Sequence, residues 1–80
     1  MVAHGADDPF VPKEAVDGFQ EAMRQAGVDW EFIAYGNAVH AFTNPAAGSD
    51  KSTGVAYEEK AATRSWNQMQ GFFDEIFDRN

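Results

Sequence analysis

The sequence contains no cysteine, which removes disulfides, thiolate metal sites and a cysteine nucleophile from consideration. It is also poor in positive charge. Six Lys and Arg stand against 13 Asp and Glu in 80 residues, for a formal net charge of -7. The six are scattered, and phosphate recognition requires a clustered basic footprint, so neither a nucleic acid nor an anionic membrane surface is an expected partner. No apolar run approaches the length of a membrane span. The start, Met1-Val2-Ala3-His4, has neither the charged nor the apolar region of a signal peptide. A cytoplasmic location is the expectation that follows.

What is present is apolar mass. Hydrophobic residues make up 44% of the chain and aromatics 14%. A chain this short buries a smaller share of its surface than a typical domain. So much apolar surface implies packing against more protein than 80 residues supply, or self-association into a homodimer through the exposed apolar faces.

The order of elements can be read from periodicity and punctuation. Met1 to His4 reads as the end of a strand, stopped by Gly5. Residues 5–12 form a loop punctuated by Gly5, Pro9 and Pro12, with Pro12 placed where a first helical position tolerates proline. A helix over about Lys13 to Ala26 follows. Ala15, Val16, Phe19, Ala22, Met23 and Ala26 fall on one face, and Gly27 is a C-cap glycine. Asp29 to Tyr35, apolar on both faces, reads as a buried strand of a parallel sheet, ended by Gly36. Residues 36–54 read as a long loop, of the kind that is often functional or mobile. The last helix is expected over about Tyr57 to Asp78. Its core stripe is Ala62, Ser65, Trp66, Met69, Phe72, Phe73, Ile76 and Phe77, with Glu58, Glu59, Asp74 and Asp78 on the solvated face. The fold class is α/β: strand, loop, helix, strand, loop, helix, with a short parallel sheet.

Chemistry-bearing residues fall at two places, both just after a strand. The first is His4-Gly5-Ala6-Asp7-Asp8-Pro9-Phe10-Val11-Pro12. The second is Asn37-Ala38-Val39-His40-Ala41-Phe42. Active sites of open α/β sheets gather at the carboxyl ends of strands, and a helix and a strand between the two segments bring the chain back to that edge. A neutral imidazole serves as a base near neutral pH when one ring nitrogen is held by an acceptor and the other is free. A carboxylate provides the acceptor and stabilises the imidazolium that forms. Asp8 and His40 are the candidates, with Asp7 the neighbouring alternative for the acid. A metal site from His4, Asp7, Asp8 and His40 would suit zinc or manganese by ligand type, but no His-x-x-x-His or similar spacing supports one. No metal and no cofactor are expected.

In these segments the sequence resembles the α/β-hydrolase superfamily, and more closely the dienelactone hydrolase family. The likeness rests on the acid turn His4-Gly5…Asp8-Pro9-Phe10-Val11-Pro12, the histidine loop from Gly36 through His40 to Phe42, the stretch Gly54-Val55-Ala56-Tyr57, and the closing helix with Trp66 and Phe72-Phe73. It spans nearly all 80 residues. The resemblance implies the C-terminal part of an α/β-hydrolase fold, a partial domain over residues 1–80. Asp8 would be the acid and His40 the histidine of a triad whose chain order is nucleophile, acid, histidine. It implies a hydrolase acting on a small-molecule ester or lactone.

The departures are as informative. The nucleophile elbow, Gly-x-Ser/Cys/Asp-x-Gly, is missing: none of Ser49, Ser52 and Ser65 has the flanking glycine on both sides. Family members mostly use cysteine, of which there is none. Members that bind dienelactones tend to carry an arginine shortly after the histidine, and here the stretch is Ala41-Phe42-Thr43-Asn44. The isolated chain is therefore expected to be inactive for want of a nucleophile. The alternative is a small acidic non-catalytic interaction protein using its apolar helix stripe as an interface.

Overall fold

Two short strands, β1 (Val2–Gly5) and β2 (Phe32–Tyr35), pair in parallel with Val2 opposite Phe32 and Gly5 opposite Tyr35. Helix α1 (Lys13–Ala26) connects them and helix α2 (Glu59–Phe77) closes the chain. The structure is a computed structural model that describes residues 1–77. The expected order of elements is present, and the fold is α/β. Asp78 lies outside the described residues.

Alternation along β2 sends neighbouring side chains to opposite faces. Phe32 meets Phe19 of α1 at 6.1 Å between ring centroids, and Phe19 also meets Trp30 at 6.4 Å. Ile33 and Tyr35 point the other way, into a cluster with Ala38, Phe42 and Ala61 of α2. The two helices thus cover opposite faces of the sheet. β2 begins at Phe32 and not at Asp29, and Trp30 packs on α1 ahead of the strand.

Helix α1 has the bounds expected from the sequence, Lys13–Ala26. Pro12 is the N-cap, extended at φ -72 and ψ 167, and offers no side-chain cap. Exposed pairs Lys13–Asp17 (2.7 Å) and Arg24–Glu21 (2.8 Å) contribute little, about 0.3–0.5 kcal/mol each. Gly27 ends the helix in the left-handed region at φ 65, where a side chain would be strained. No α1 residue is fully buried. Its apolar face lies on a sheet of two strands, too narrow to cover it.

The same shortage corrects the reading of α2. Its N-terminus is capped by Glu58, whose carboxylate accepts the Ala61 N–H at 2.7 Å, so Glu58 does not belong to the solvated face. Ala61, Ser65 and Phe72 are buried. Trp66, Ile76 and Phe77, expected in the core, are exposed, Trp66 by 57%. Trp66, Met69 and Phe73 line an open groove of about 640 Å³ beside Met1 and Ala3 of the β1 edge. Periodicity marked the apolar stripe correctly, but the described chain covers only part of it.

Well-buried residues lie in and after the histidine loop: Ala38, Val39, Phe42 and Ala56 are all at or below 6% exposure. Residues 36–54 are also more structured than expected, with short 3-10 turns at Pro45–Ala47 and Lys51–Thr53. Asn44 and Asp50 cap these turns through their side-chain oxygens.

Tyr35 is buried, and its hydroxyl has no hydrogen-bond partner among the described residues. Burial, and then the negative charge of Glu31, push its pKa above the ordinary 10.0. The folded state therefore favours the neutral phenol. That preference is fully present below the unfolded value and is lost as pH rises through the folded one. Tyr35→Phe is expected to raise stability at pH 7 by about 1 kcal/mol, the cost of an unmade hydrogen bond, and to flatten the loss of stability above pH ~10. Urea titrations at the two pH values check this, and a lower midpoint for the variant at pH 7 would show that the hydroxyl is satisfied.

Candidate active site

The acid turn is built on backbone hydrogen bonds. Past the end of β1, the Ala6 N–H donates to Tyr35 O, the Asp7 N–H to Ala38 O and the Asp8 N–H to Gly5 O, at 2.9–3.0 Å. The chain is thereby tied at once to β2 and to the approach of the histidine loop. Asp7 is exposed and contributes its backbone. Asp8 turns inward, its side chain 7% exposed. One carboxylate oxygen, Oδ1, accepts the Phe10 N–H at 2.8 Å across Pro9, an Asx turn. The other, Oδ2, lies 3.0 Å from Nδ1 of His40.

His40 is held by its backbone on both sides. Its N–H donates to Gly54 O at 3.0 Å, and its carbonyl accepts the Ala56 N–H at 3.1 Å, a parallel bridge to Val55. Asn37 and Ala41 have positive φ, 65 and 61. For alanine this conformation costs on the order of 1 kcal/mol, and strain of this kind concentrates at functional sites. Lys51 Nζ donates to the Asn37 carbonyl at 2.7 Å, which anchors the loop at its left-handed residue. The imidazole itself is 52% exposed. Because a carboxylate can only accept, Nδ1 is assigned the proton, and Nε2 keeps its lone pair. A buried carboxylate orienting a half-exposed imidazole is an arrangement suited to moving a proton at Nε2.

Beside the pair lies a cavity of about 380 Å³ along β1, lined by His4, Gly5, Asp8, His40, Ala41 and Thr43 among others. His4 lies within β1 and its ring rests 5.5 Å from Phe32. Ser52 and Ser65 are engaged elsewhere, through the Asp50 carboxylate and the Ala62 carbonyl. No group of three or more His, Asp or Glu side chains among the described residues is placed to hold a metal ion.

Two glycines and a phenylalanine matter here beyond what the sequence reading gave them. A Cβ on Gly5 would stand 2.6 Å from Val39 O and 2.7 Å from Ala38 O, so the histidine loop lies directly on the end of β1. Gly54, at φ 84, would meet Pro9 Cγ at 2.6 Å, so the residue that holds the His40 backbone is also pressed against the acid turn. Phe10 sets its ring 5.5 Å from that of His40, at 76°. The available signals are Gly5 inside the acid turn and Gly54 at the head of the Gly54-Val55-Ala56-Tyr57 stretch. What each glycine touches depends on contacts distant in sequence.

Both sequence and fold have counterparts among known proteins. A family model for the dienelactone hydrolase family covers residues 1–77. An uncharacterized protein of Caenorhabditis elegans is 41% identical over 77 residues, 96% of this chain and 49% of its own length. A putative carboxymethylenebutenolidase of Salmonella typhimurium is 31% identical over 70 residues, 88% of this chain and 23% of its own. Among solved structures, m3DLH superposes with TM-score 0.84 at 49% identity, over 94% of this chain and 31% of its own. A dienelactone hydrolase-like promiscuous phosphotriesterase, P91, from metagenomic libraries superposes with TM-score 0.81 at 46% identity, over 90% and 30%. The chain thus spans about half of one curated relative, about a quarter of the other, and under a third of each solved structure.

Proposed function

The chain belongs to the dienelactone hydrolase family, and from that premise we propose that it carries the acid, Asp8, and the general base, His40, of a triad that cleaves an ester or lactone. The supporting observation is the 3.0 Å contact between His40 Nδ1 and the buried Asp8 carboxylate. In the reaction, His40 Nε2 takes the proton from a hydroxyl or thiol nucleophile supplied outside these residues, and the nucleophile bonds to the carbonyl carbon. The imidazolium, stabilised by ionised Asp8, returns the proton to the departing alkoxide as the C–O bond breaks. Water then attacks the acyl-enzyme with His40 again as base. The carboxylic acid leaves, and the nucleophile recovers its proton. Asp8 stays ionised throughout.

The residues after His40 are Ala41, Phe42 and Thr43, with no cation among them. This favours an uncharged ester over a substrate whose own carboxylate must be gripped by a cation. The relative described as a promiscuous phosphotriesterase makes neutral phosphotriesters the second substrate class to try.

The isolated chain is expected to show no turnover of a p-nitrophenyl ester above that of free imidazole. Turnover that disappears in His40→Ala would overturn this and mean that the chain holds a nucleophile of its own. A second reading, a non-catalytic interaction protein, is favoured by the exposure of Trp66, Ile76 and Phe77. It gives no reason for a buried carboxylate against an imidazole.

A further inference from the structure

We propose that Phe10 is a positioning residue that keeps the His40 imidazole on Asp8; this rests on reading the pair as base and acid. Phe10 is 60% exposed, so core packing does not account for it. Yet it reaches each part of the site. Its N–H donates to Asp8 Oδ1 at 2.8 Å. Its ring lies 5.5 Å from the His40 ring in an edge arrangement. Its Cε2 lies 3.2 Å from where a Cβ on Gly54 would stand, and the carbonyl of Gly54 holds the His40 N–H.

The need for such a residue follows from the exposure of the imidazole. A single hydrogen bond at Nδ1 fixes one atom of a ring that turns about two bonds and is 52% open to water. Water competes for Asp8 whenever the ring swings away. The Phe10 ring stands on one side of that arc, and edge-to-face contact favours the orientation in which Nδ1 faces the carboxylate. Phe10 is itself constrained. Pro9 fixes the backbone before it, its own N–H is bonded, and Gly54 leaves the space its ring edge occupies. The side chain that limits the histidine is therefore anchored to the carboxylate the histidine must find.

The test is the tautomer of His40 in the 15N-labelled chain, read from long-range 1H–15N correlations of the imidazole above its titration. His4, whose ring contact is with Phe32, serves as the internal reference. Wild type is expected to show the Nδ1–H form. Phe10→Ala and Phe10→Leu are expected to lower the ratio of Nδ1–H to Nε2–H by on the order of five-fold, and Phe10→Tyr to restore it. Leucine keeps bulk and lacks the ring, so a loss in Phe10→Ala alone would indicate simple loosening of the loop and overturn the proposal. An unchanged ratio in both would also overturn it while leaving the His40–Asp8 pair intact. A wild-type His40 that favours Nε2–H, with no response to Asp8→Asn, would remove the pair itself and the role of Phe10 with it.

Discussion

Joined to the remainder of a relative, this chain is expected to support turnover that collapses when His40 is replaced by alanine. The suitable partner is the phosphotriesterase relative, with this chain in place of the matching 30% of it, since the two superpose with TM-score 0.81 at 46% identity. A positioned general base contributes on the order of 10²–10⁴-fold. Because the proposed mechanism uses His40 in both half-reactions, a loss of kcat on the order of 10³-fold or more is expected for His40→Ala. Asp8→Asn should cost nearly as much through a different cause. An amide in the place of Oδ2 can present an N–H to Nδ1, which moves the imidazole proton to Nε2 and leaves no lone pair facing the nucleophile. Asp7→Asn, on an exposed side chain, should stay within about two-fold, as surface changes away from the chemistry usually do. The double variant of Asp8 and His40 should be no worse than His40→Ala alone, since residues acting as one unit are not additive. A His40→Ala chimera that folds and retains activity within ten-fold of its parent would end the hydrolase reading of this pair.

Much of that site is legible in the sequence. Asp8 precedes a proline in a segment leaving a strand, and His40 follows the next strand. In a parallel sheet, strand ends of consecutive strands share an edge. Residue type and placement were therefore enough to pair them, and the 3.0 Å contact is where the argument from the strand ends led. Gly27 was legible for a similar local reason, since a left-handed cap selects glycine. The helix stripe was legible as a pattern but not as a burial. Periodicity says which residues share a face, whereas coverage depends on what stands opposite. Opposite Trp66 there is an open groove.

The loop from 36 to 54 is expected, from its length, to be functional or mobile, and it leads into and partly forms a well-buried stretch of the chain. Ala38, Val39 and Phe42 pack inward on either side of His40, and Ala56 lies against it through the Val55 bridge. The positive φ at Asn37 and Ala41 brackets a segment in which Ala38 and Val39 are buried and His40 is half exposed. The backbone at His40 is hydrogen-bonded on both sides, while its imidazole is left open to solvent.

The largest effect on folding is expected at Gly5. The same substitution, glycine to alanine, has opposite consequences at two positions of this chain. At Gly18, inside α1, a Cβ meets nothing within 4 Å, and alanine should stabilise the helix by about 1 kcal/mol through its higher propensity. At Gly5 the Cβ would lie 2.6 Å and 2.7 Å from the carbonyl oxygens of Val39 and Ala38. Those atoms are backbone and cannot rotate away. Ala38 O also accepts the Asp7 N–H, so retreat of the loop breaks a bond of the acid turn. Overpacking of this kind costs about 3 kcal/mol, against a total stability that for a chain of this size is on the order of 5 kcal/mol. Gly5→Ala should therefore lose half or more of the urea midpoint, while Gly18→Ala gains. Any folded fraction of Gly5→Ala should show His40 displaced from Asp8, with its tautomer moved toward Nε2–H. A Gly5→Ala chain with an unshifted midpoint would mean that the histidine loop does not rest on the end of β1, and the distance between Asp8 and His40 would then need another support.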